Sequence, residues 1–455
     1  MASAPPLNQL SSLHLASAIA VDLSDSSDYL GADATRVGQM RPPKSDKALV
    51  PVPVGMDWAL FANLLALITI GVVMAYSASV YLALRAGKGD DQLFLNKHLV
   101  HTGVTVVVML IGAHIPYQFW RKVAYPGLML ALGMLILTLM FGVVVNGSRR
   151  WLPLPGFMFQ TAELAKFAFV VFLAHSLTKK IDAERVHKFT VGFLPHALAW
   201  MFMFSLCMKQ PDLGSGIVLA VLLFAMTYIA GTRMAYVVLA GGAGIALLAS
   251  FVAQNPMRFK RFLAFLDPLA YRDTTGYQLF NGQLAVATGN WFGNGLGLSK
   301  QKLGFVPECH TDFILSIIAE ELGLIGVALV ALGFVFLILR GLRIALRARD
   351  EFGRLLAAGI TLLFGTQAAV NFGVVMGLLP TKGLTLPFIS HGGSSMLIMG
   401  LAAGVLLNVG RGGNPDLPEL ALPSWLKLPS RRTTSGPQKA RSGQVRAVDR
   451  AGGTP

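Results

Sequence analysis

The sequence predicts an all-α, polytopic integral membrane protein of about ten transmembrane helices, with a large extracytoplasmic loop between helices seven and eight. Three observations predict it. The 455-residue chain is 54% apolar and only 13% charged, with mean hydropathy +0.59, whereas soluble domains carry about 25% charged residues. Ten apolar runs are each long enough to cross roughly 30 Å of hydrocarbon as a helix. Glycine is abundant, at 48 residues, as is common where transmembrane helices pack closely.

Taken in order, residues 1–56 read as a disordered tail. The run Ser24, Asp25, Ser26, Ser27, Asp28 is polar, and the first 30 residues lack the basic start and apolar core of a cleavable signal peptide. A transmembrane domain follows over 57–410, with spans at about 57–84, 99–115, 120–143, 157–178, 189–207, 213–230, 234–253, 312–338, 354–378 and 387–409. Residues 411–455, rich in Pro, Ser and Arg, read as a basic extension. An even number of spans puts both termini on one side of the membrane.

Basic residues choose that side. One set of short loops holds twelve cations: Arg121, Lys122, Lys179, Lys180, Arg185, Lys188, Arg233, Arg340, Arg343, Arg347, Arg349 and Arg354. The opposite set holds seven: Arg85, Lys88, Lys97, Arg149, Arg150, Lys209 and Lys382. Both basic tails fall on the twelve-residue side, so both termini are expected in the cytoplasm. The 254–311 loop then faces outward, and "MRFKRFLAFLDP" and "GYQLFNGQLAVATGNWFG" within it read as interfacial helices. The net charge of +15 lies between apolar spans and is no nucleic-acid signal. The two cysteines, Cys207 and Cys309, are too few for a disulfide framework and read as free thiols.

With the orientation set, five polar clusters collect at the outer surface: "NGSRRW" (Asn146–Trp151), "KQPD" (Lys209–Asp212), "PECHTD" (Pro307–Asp312), "PTKG" (Pro380–Gly383) and "SHGGSS" (Ser390–Ser395). Each has an ordinary reading. Asp212 and Thr311 could cap helices, Asp312 in a first turn would favour the helix dipole, and Trp151 could belong to an interfacial aromatic belt. "GNGLG" (Gly293–Gly297) follows no strand and is not a nucleotide fingerprint. His391 before "GGSS" lacks the nucleophile elbow of a hydrolase.

The intramembrane charges are harder to set aside. Glu163 and Lys166 are three apart and share a helix face. Counted from the outer helix ends, Lys166, Glu320 and Glu321 all lie about 12–14 Å deep. Unpaired charges there are costly, so Lys166 is expected to pair with Glu320 or Glu321, as a structural ion pair or as one that shapes a polar cavity.

The segments "NGSRRW", "FQTAELAKF", "KQPDLGSG", "GFVPECHTDFILSIIAEELG" and "GLLPTKGLTLPFISHGGSS" closely resemble the SEDS family (shape, elongation, division, sporulation) of bacterial cell-wall glycosyltransferases, in order, over about 57–411. "PTKGL" and the long N-terminal tail resemble the division member more than the elongation member. This chain departs from the family pattern at Thr161-Ala162 (usually Pro-Ser), at His391 (usually Tyr) and at Cys309 (usually Ala).

The resemblance implies a multi-pass protein of the bacterial inner membrane, at the division septum. Its implied reaction polymerises lipid II, a disaccharide-pentapeptide on undecaprenyl pyrophosphate, into β-1,4 glycan at the outer face. Asp312 matches the family's essential aspartate, the proposed general base. Arg149, Arg150 and Lys382 are candidates for holding pyrophosphate, and Trp151, Gln210, Asp212, His310, Ser394 and Ser395 complete the expected substrate-binding set. No Walker or DxD motif is present. A divalent cation, Mg or Mn, bridging Asp312 to the pyrophosphate stays open beside the base role. Implied partners are a class B penicillin-binding transpeptidase and other divisome membrane proteins. A lipid II flippase and a non-catalytic divisome scaffold are the alternative functions. The apolar inner stretches "FAFVVFLAHSL" and "GVALVALGFVFLI" offer no full polar pathway for a transporter.

Overall fold

A computed structural model describes residues 55–85, 92–145, 147–154, 157–254 and 256–412; the expected tails at 1–54 and 413–455 lie outside them. Its helices are α1 (Trp58–Arg85), α2 (Gln92–His114), α3 (Gln118–Phe141), α4 (Thr161–Asp182), α5 (Leu194–Lys209), α6 (Leu213–Ile229), α7 (Met234–Ala253), α8 (Pro256–Leu266), α9 (Tyr277–Gly289), α10 (Ile314–Arg347), α11 (Glu351–Val375) and α12 (Gly393–Gly410). Among the described residues seven helices are long and apolar enough to cross a membrane. Three shorter apolar stretches, His98–His114, Leu213–Ile229 and Met234–Ala246, fall on three further expected spans. The two amphipathic loop segments do form helices, α8 and α9.

Helix α4 stands at the centre. Its apolar stretch is 94% buried, enclosed by α3, α6, α11 and α12. Apolar residues that face outward elsewhere, such as Val238, Leu239 and Ile245 on α7, suit a lipid surround.

Several boundaries differ from the sequence reading. Residues 157–160, expected to open the fourth span, form β3 (Phe157–Gln160), antiparallel to β2 (Ser148–Leu154), which pairs with β1 (Val143–Val145). The tenth span starts at Gly393 rather than 387, because Phe388 takes a positive φ of 66° and interrupts the helical path. The eighth runs on to Arg347, carrying an arginine-rich end past the apolar run. It is also broken at Gly323, where φ is 70° and ψ −169°. Segment 290–302 fills that break: Asn294 N–H donates to Glu320 O (2.9 Å), Gly295 N–H to Glu321 O (3.0 Å) and Leu324 N–H to Asn290 O (2.9 Å). Part of the expected outer loop is therefore buried, Ser299 and Lys302 included.

Helices α2 and α12 approach closely through glycine. A Cβ on Gly404 would strike the carbonyl oxygen of Met109 and lie 2.9 Å from Gly112 Cα. Gly404→Val is expected to force these helices apart, at a cost of about 1–3 kcal/mol or more. Loss of thermal stability of the purified protein in detergent checks this, with Gly127→Ala, where the added Cβ meets nothing within 4 Å, as the comparison.

Candidate active site

A cavity of about 470 Å³ opens where the sheet, the α8–α9 connection, the turn before α10 and the α11–α12 connection meet. Its wall carries Arg150, Trp151, Glu163, Asp312 and Lys382. A smaller cavity of about 170 Å³, with Asp212 in its wall, shares Arg150, Lys382 and Gly383 with the first.

The sheet aims Arg150. Val143 pairs with Trp151 and Val144 with Arg149, so Arg150 is the extra residue of a β-bulge. A bulge re-aims the side chain it carries. Arg150 and Trp151 both line the cavity, and an Arg150 Nη donates to the carbonyl of Pro211. Arg149 is exposed on the strand and donates to Leu139 O (3.4 Å), so it is not part of the wall expected for it.

Asp312 lies two residues before α10 and does not cap it. The N-cap position is Phe313, without a side-chain cap bond. The backbone around Asp312 is pinned instead. His391 N–H donates to His310 O (2.9 Å), Ser390 Oγ to Thr311 O (2.6 Å), and Asn371 Nδ2 to Asp312 O (2.9 Å). Asn371 also donates to Leu384 O (2.8 Å), fixing the 380–384 stretch relative to the aspartate. A Cβ placed on Gly383 would sit 2.9 Å from Asp312 Oδ2 and 3.2 Å from Arg150 Nη1. Both charged groups therefore converge on one bare stretch of backbone.

Burial pushes the Asp312 carboxyl up to about 7; the charge of Glu308 adds to this, Arg150 opposes it and Asp212 adds a little more. Burial beside His98, His310 and His101 drives His391 down to about 3, so this cavity-lining imidazole is neutral at pH 7. His391 Nδ1 sits 2.8 Å from His98 Nδ1.

The other expected site residues divide. Trp151 and Lys382 are in the wall. Asp212 caps α6, accepting from Ser215 N–H at 3.2 Å, while lining the smaller cavity. Gln210 is buried and donates to Leu135 O (2.9 Å). Ser394 Oγ accepts from Gln160 N–H (3.0 Å), and Ser395 Oγ lies 3.0 Å from Thr385 Oγ1. His310 lies near His391, with ring centroids 6.0 Å apart and the planes tilted by 53°. These polar groups join elements together, and neither cavity is lined by Gln210, His310, Ser394 or Ser395.

The expected pairing of Lys166 with Glu320 or Glu321 does not form. Lys166 Nζ donates to Glu163 Oε1 at 2.8 Å within α4. Glu321 accepts from Lys302 Nζ (2.8 Å) and Ser77 Oγ (2.7 Å), and Glu320 from Lys300 N–H (2.9 Å) and Ser299 Oγ. Equal depth did not bring α4 and α10 charges together, because the 290–302 segment supplies nearer partners. Glu163 Oε2 has no partner among the described residues and belongs to the cavity wall.

Sequence reasoning missed Arg261 of α8 and Glu308 as wall residues. The signal for Arg261 was present in the amphipathic "MRFKRF", where a cation on an interfacial helix could have been aimed at the site. Among the described residues no three His, Cys, Asp or Glu side chains are grouped to hold a metal ion. Both cysteines are buried and unpaired, and burial pushes the Cys309 thiol up to about 11.

The cell cycle protein model covering FtsW, RodA and SpoVE matches residues 57–414. The chain belongs to this family. The probable peptidoglycan glycosyltransferase FtsW of Trichlorobacter lovleyi is 42% identical over 358 residues, 78% of this chain and 93% of that protein. Stage V sporulation protein E of Bacillus subtilis is 41% identical over 359 residues, 78% and 97% of the two chains. Among solved structures, a chain of a peptidoglycan synthase complex that coordinates polymerization and crosslinking superposes with TM-score 0.66 at 28% identity, over 80% of this chain and all (100%) of that one. The rod shape determining protein RodA of Thermus thermophilus gives TM-score 0.58 at 28% identity, covering 79% and 98%. FtsW/RodA/SpoVE membership fixes this chain as a polytopic membrane protein, in keeping with its apolar helices.

Removing Lys166 would strand a buried carboxylate, typically a loss of about 3–5 kcal/mol. Lys166→Met is thus expected to destabilise the protein, and adding Glu163→Gln to restore much of the loss. Adding Glu320→Gln instead should restore none, since that glutamate has other partners. Thermal midpoints of the three variants in detergent decide between the pairings.

Proposed function

We infer that this chain is a peptidoglycan glycosyltransferase that polymerises lipid II into β-1,4 glycan at the outer face of the cytoplasmic membrane. The observation that carries the reading is the convergence of Asp312 and Arg150 on Gly383 within a cation-lined cavity. It supports one division of labour. The Asp312 carboxylate takes the proton from the acceptor 4-hydroxyl as that oxygen attacks the anomeric carbon of the donor. The bond from that carbon to the diphosphate breaks with inversion, and Arg150, Arg261 and Lys382 are placed to meet the charge that leaves.

A general base works best with a pKa near the working pH. The value near 7 for Asp312 meets that condition, and the carboxylate makes no capping hydrogen bond that would have stabilised the anion and opposed it. A divalent cation at Asp312 would draw most of its donors from substrate phosphates and water, as the sparse carboxylate and imidazole grouping implies. Below Lys166 the α4 residues Phe167–Ala174 are apolar and buried, which favours polymerisation over carriage of a charged headgroup across the bilayer.

The wider setting follows the same reading. Both termini lie in the cytoplasm, a class B penicillin-binding transpeptidase accompanies the polymerase, and the site of action is the division septum. The likeness to one chain of a synthase complex supports the partnership, and the resemblance to probable FtsW proteins supports the septal role.

The test is purified protein with lipid II, with and without the transpeptidase, scored for polymeric glycan on gels. Asp312→Asn is expected to lower polymerisation by at least about 10²-fold while lipid II binding persists. A stable variant that makes glycan at the wild-type rate would remove Asp312 from the chemistry. Arg150→Gln should weaken lipid II binding more than it lowers thermal stability.

The pH dependence has a defined sign. Asp312 must be ionised to accept a proton, so kcat/KM should climb with pH and level off above about 7. Glu308 raises the aspartate's pKa and Arg150 lowers it. Glu308→Gln should therefore move the midpoint to lower pH, and Arg150→Gln to higher pH. Midpoints that move the other way, or not at all, would assign the limb to another group.

A further inference from the structure

Arg340, Arg343 and Arg347 are spaced three and seven residues apart and so share one face of α10. With the start of α1 and the end of α12 they wall a cavity of about 360 Å³, with Met56, Ile344 and Val409 supplying apolar surface. It lies at the opposite end of α10 from Asp312.

The cavity is cationic. Asp57 is its one acidic lining residue, and it is engaged twice, with Arg340 at 2.9 Å and with Leu60 N–H at 3.0 Å. Arg343 and Arg347 are exposed and have no ion-pair partner among the described residues, and the buried Nε of Arg340 has no acceptor. Arginines that only set membrane orientation need no shared cavity; here they surround one. The same helix also presents exposed hydrocarbon beside them, at Leu339, Leu342 and Leu346, and Trp58 stands 62% exposed at the rim. A ligand here meets guanidinium groups at one end and apolar surface at the other.

We propose that this cavity binds the headgroup of an anionic phospholipid. The phosphodiester lies against Arg343 and Arg347, whose planar forks match phosphate oxygens, and the acyl chains run along the exposed apolar face of α10. Arg340 is held by Asp57 as the fixed wall of the site. A free organic phosphate shares the headgroup chemistry but leaves the apolar surface unused, so the lipid is the better fit.

Native mass spectrometry of the full chain in detergent tests this with three probes: dioleoylphosphatidylglycerol, dioleoylphosphatidylcholine and glycerophosphate. Wild type is expected to retain the anionic lipid about tenfold better than the zwitterionic one, as basic interfacial pockets do. Glycerophosphate at the same concentration should not displace it. Arg343→Gln/Arg347→Gln should abolish the preference. Arg233→Gln, at the exposed α6–α7 turn, should keep it. No preference in the wild type, an unchanged preference in the double variant, or displacement by glycerophosphate as effective as by lipid would each overturn the proposal.

Discussion

The site depends on three successive carbonyls. His310, Thr311 and Asp312 each give their backbone oxygen to a different donor from α11 or the stretch before α12. Ahead of a helix in an apolar setting, those oxygens would otherwise be unsatisfied, at a cost of several kcal/mol each. The cheapest arrangement therefore docks the turn before α10 against the 384–391 stretch. Docking carries the Asp312 side chain to Gly383, and Asn371, bonded to both partners, sets the distance between them.

Two of the buried carboxylates are neutralised by lysines. Glu163 finds Lys166 one turn along its own helix, and Glu321 finds Lys302 and Ser77. Each such pair would be costly to break in a low-dielectric interior, so each locks the elements that supply it. The Glu320–Glu321 pair holds the 290–302 segment in the break of α10 and thereby steadies the outer part of that helix. Asp312 differs. Its carboxylate makes no hydrogen bond or ion pair among the described residues, and burial, only partly offset by the charge of Arg150, is what raises its pKa.

Hydropathy made the helices legible, because each must bury its backbone polar groups and present an apolar length that matches the bilayer. The sheet escaped it. "VVV" and "FMFQ" are as apolar as helix starts, and strands of three and four residues leave too short a pattern to show alternation. The grouping of polar clusters at one end was legible from chain position alone. Side-chain direction was not. Arg149 and Arg150 are equivalent in composition, and only the bulge opposite Val143–Val144 decides which one enters the cavity. Gln210, Ser394 and Ser395 sat in the right clusters but serve as ties between elements, a role that depends on partners remote in sequence. The Lys166 expectation failed for the same reason: depth along a helix was readable, while the infolded loop that takes up Glu320 and Glu321 was not.

A buried ionisable residue in a membrane protein invites a functional reading by default, yet residue type does not separate Glu320 from Asp312. The partner does. Where a neighbour supplies the compensating charge or hydrogen bond, the carboxylate is stabilised as the anion and holds the fold, as Glu321 does with Lys302. Where the backbone is held firmly and the side chain is left without a hydrogen-bond partner, the cost of the buried charge is only partly offset until something arrives to share it. In the proposed reaction an approaching hydroxyl proton would supply that relief at Asp312, and the cations beside it would answer the negative charge that develops on the leaving group. The same logic reaches the far end of α10, where Asp57 satisfies one arginine of three and the other two remain for an anion.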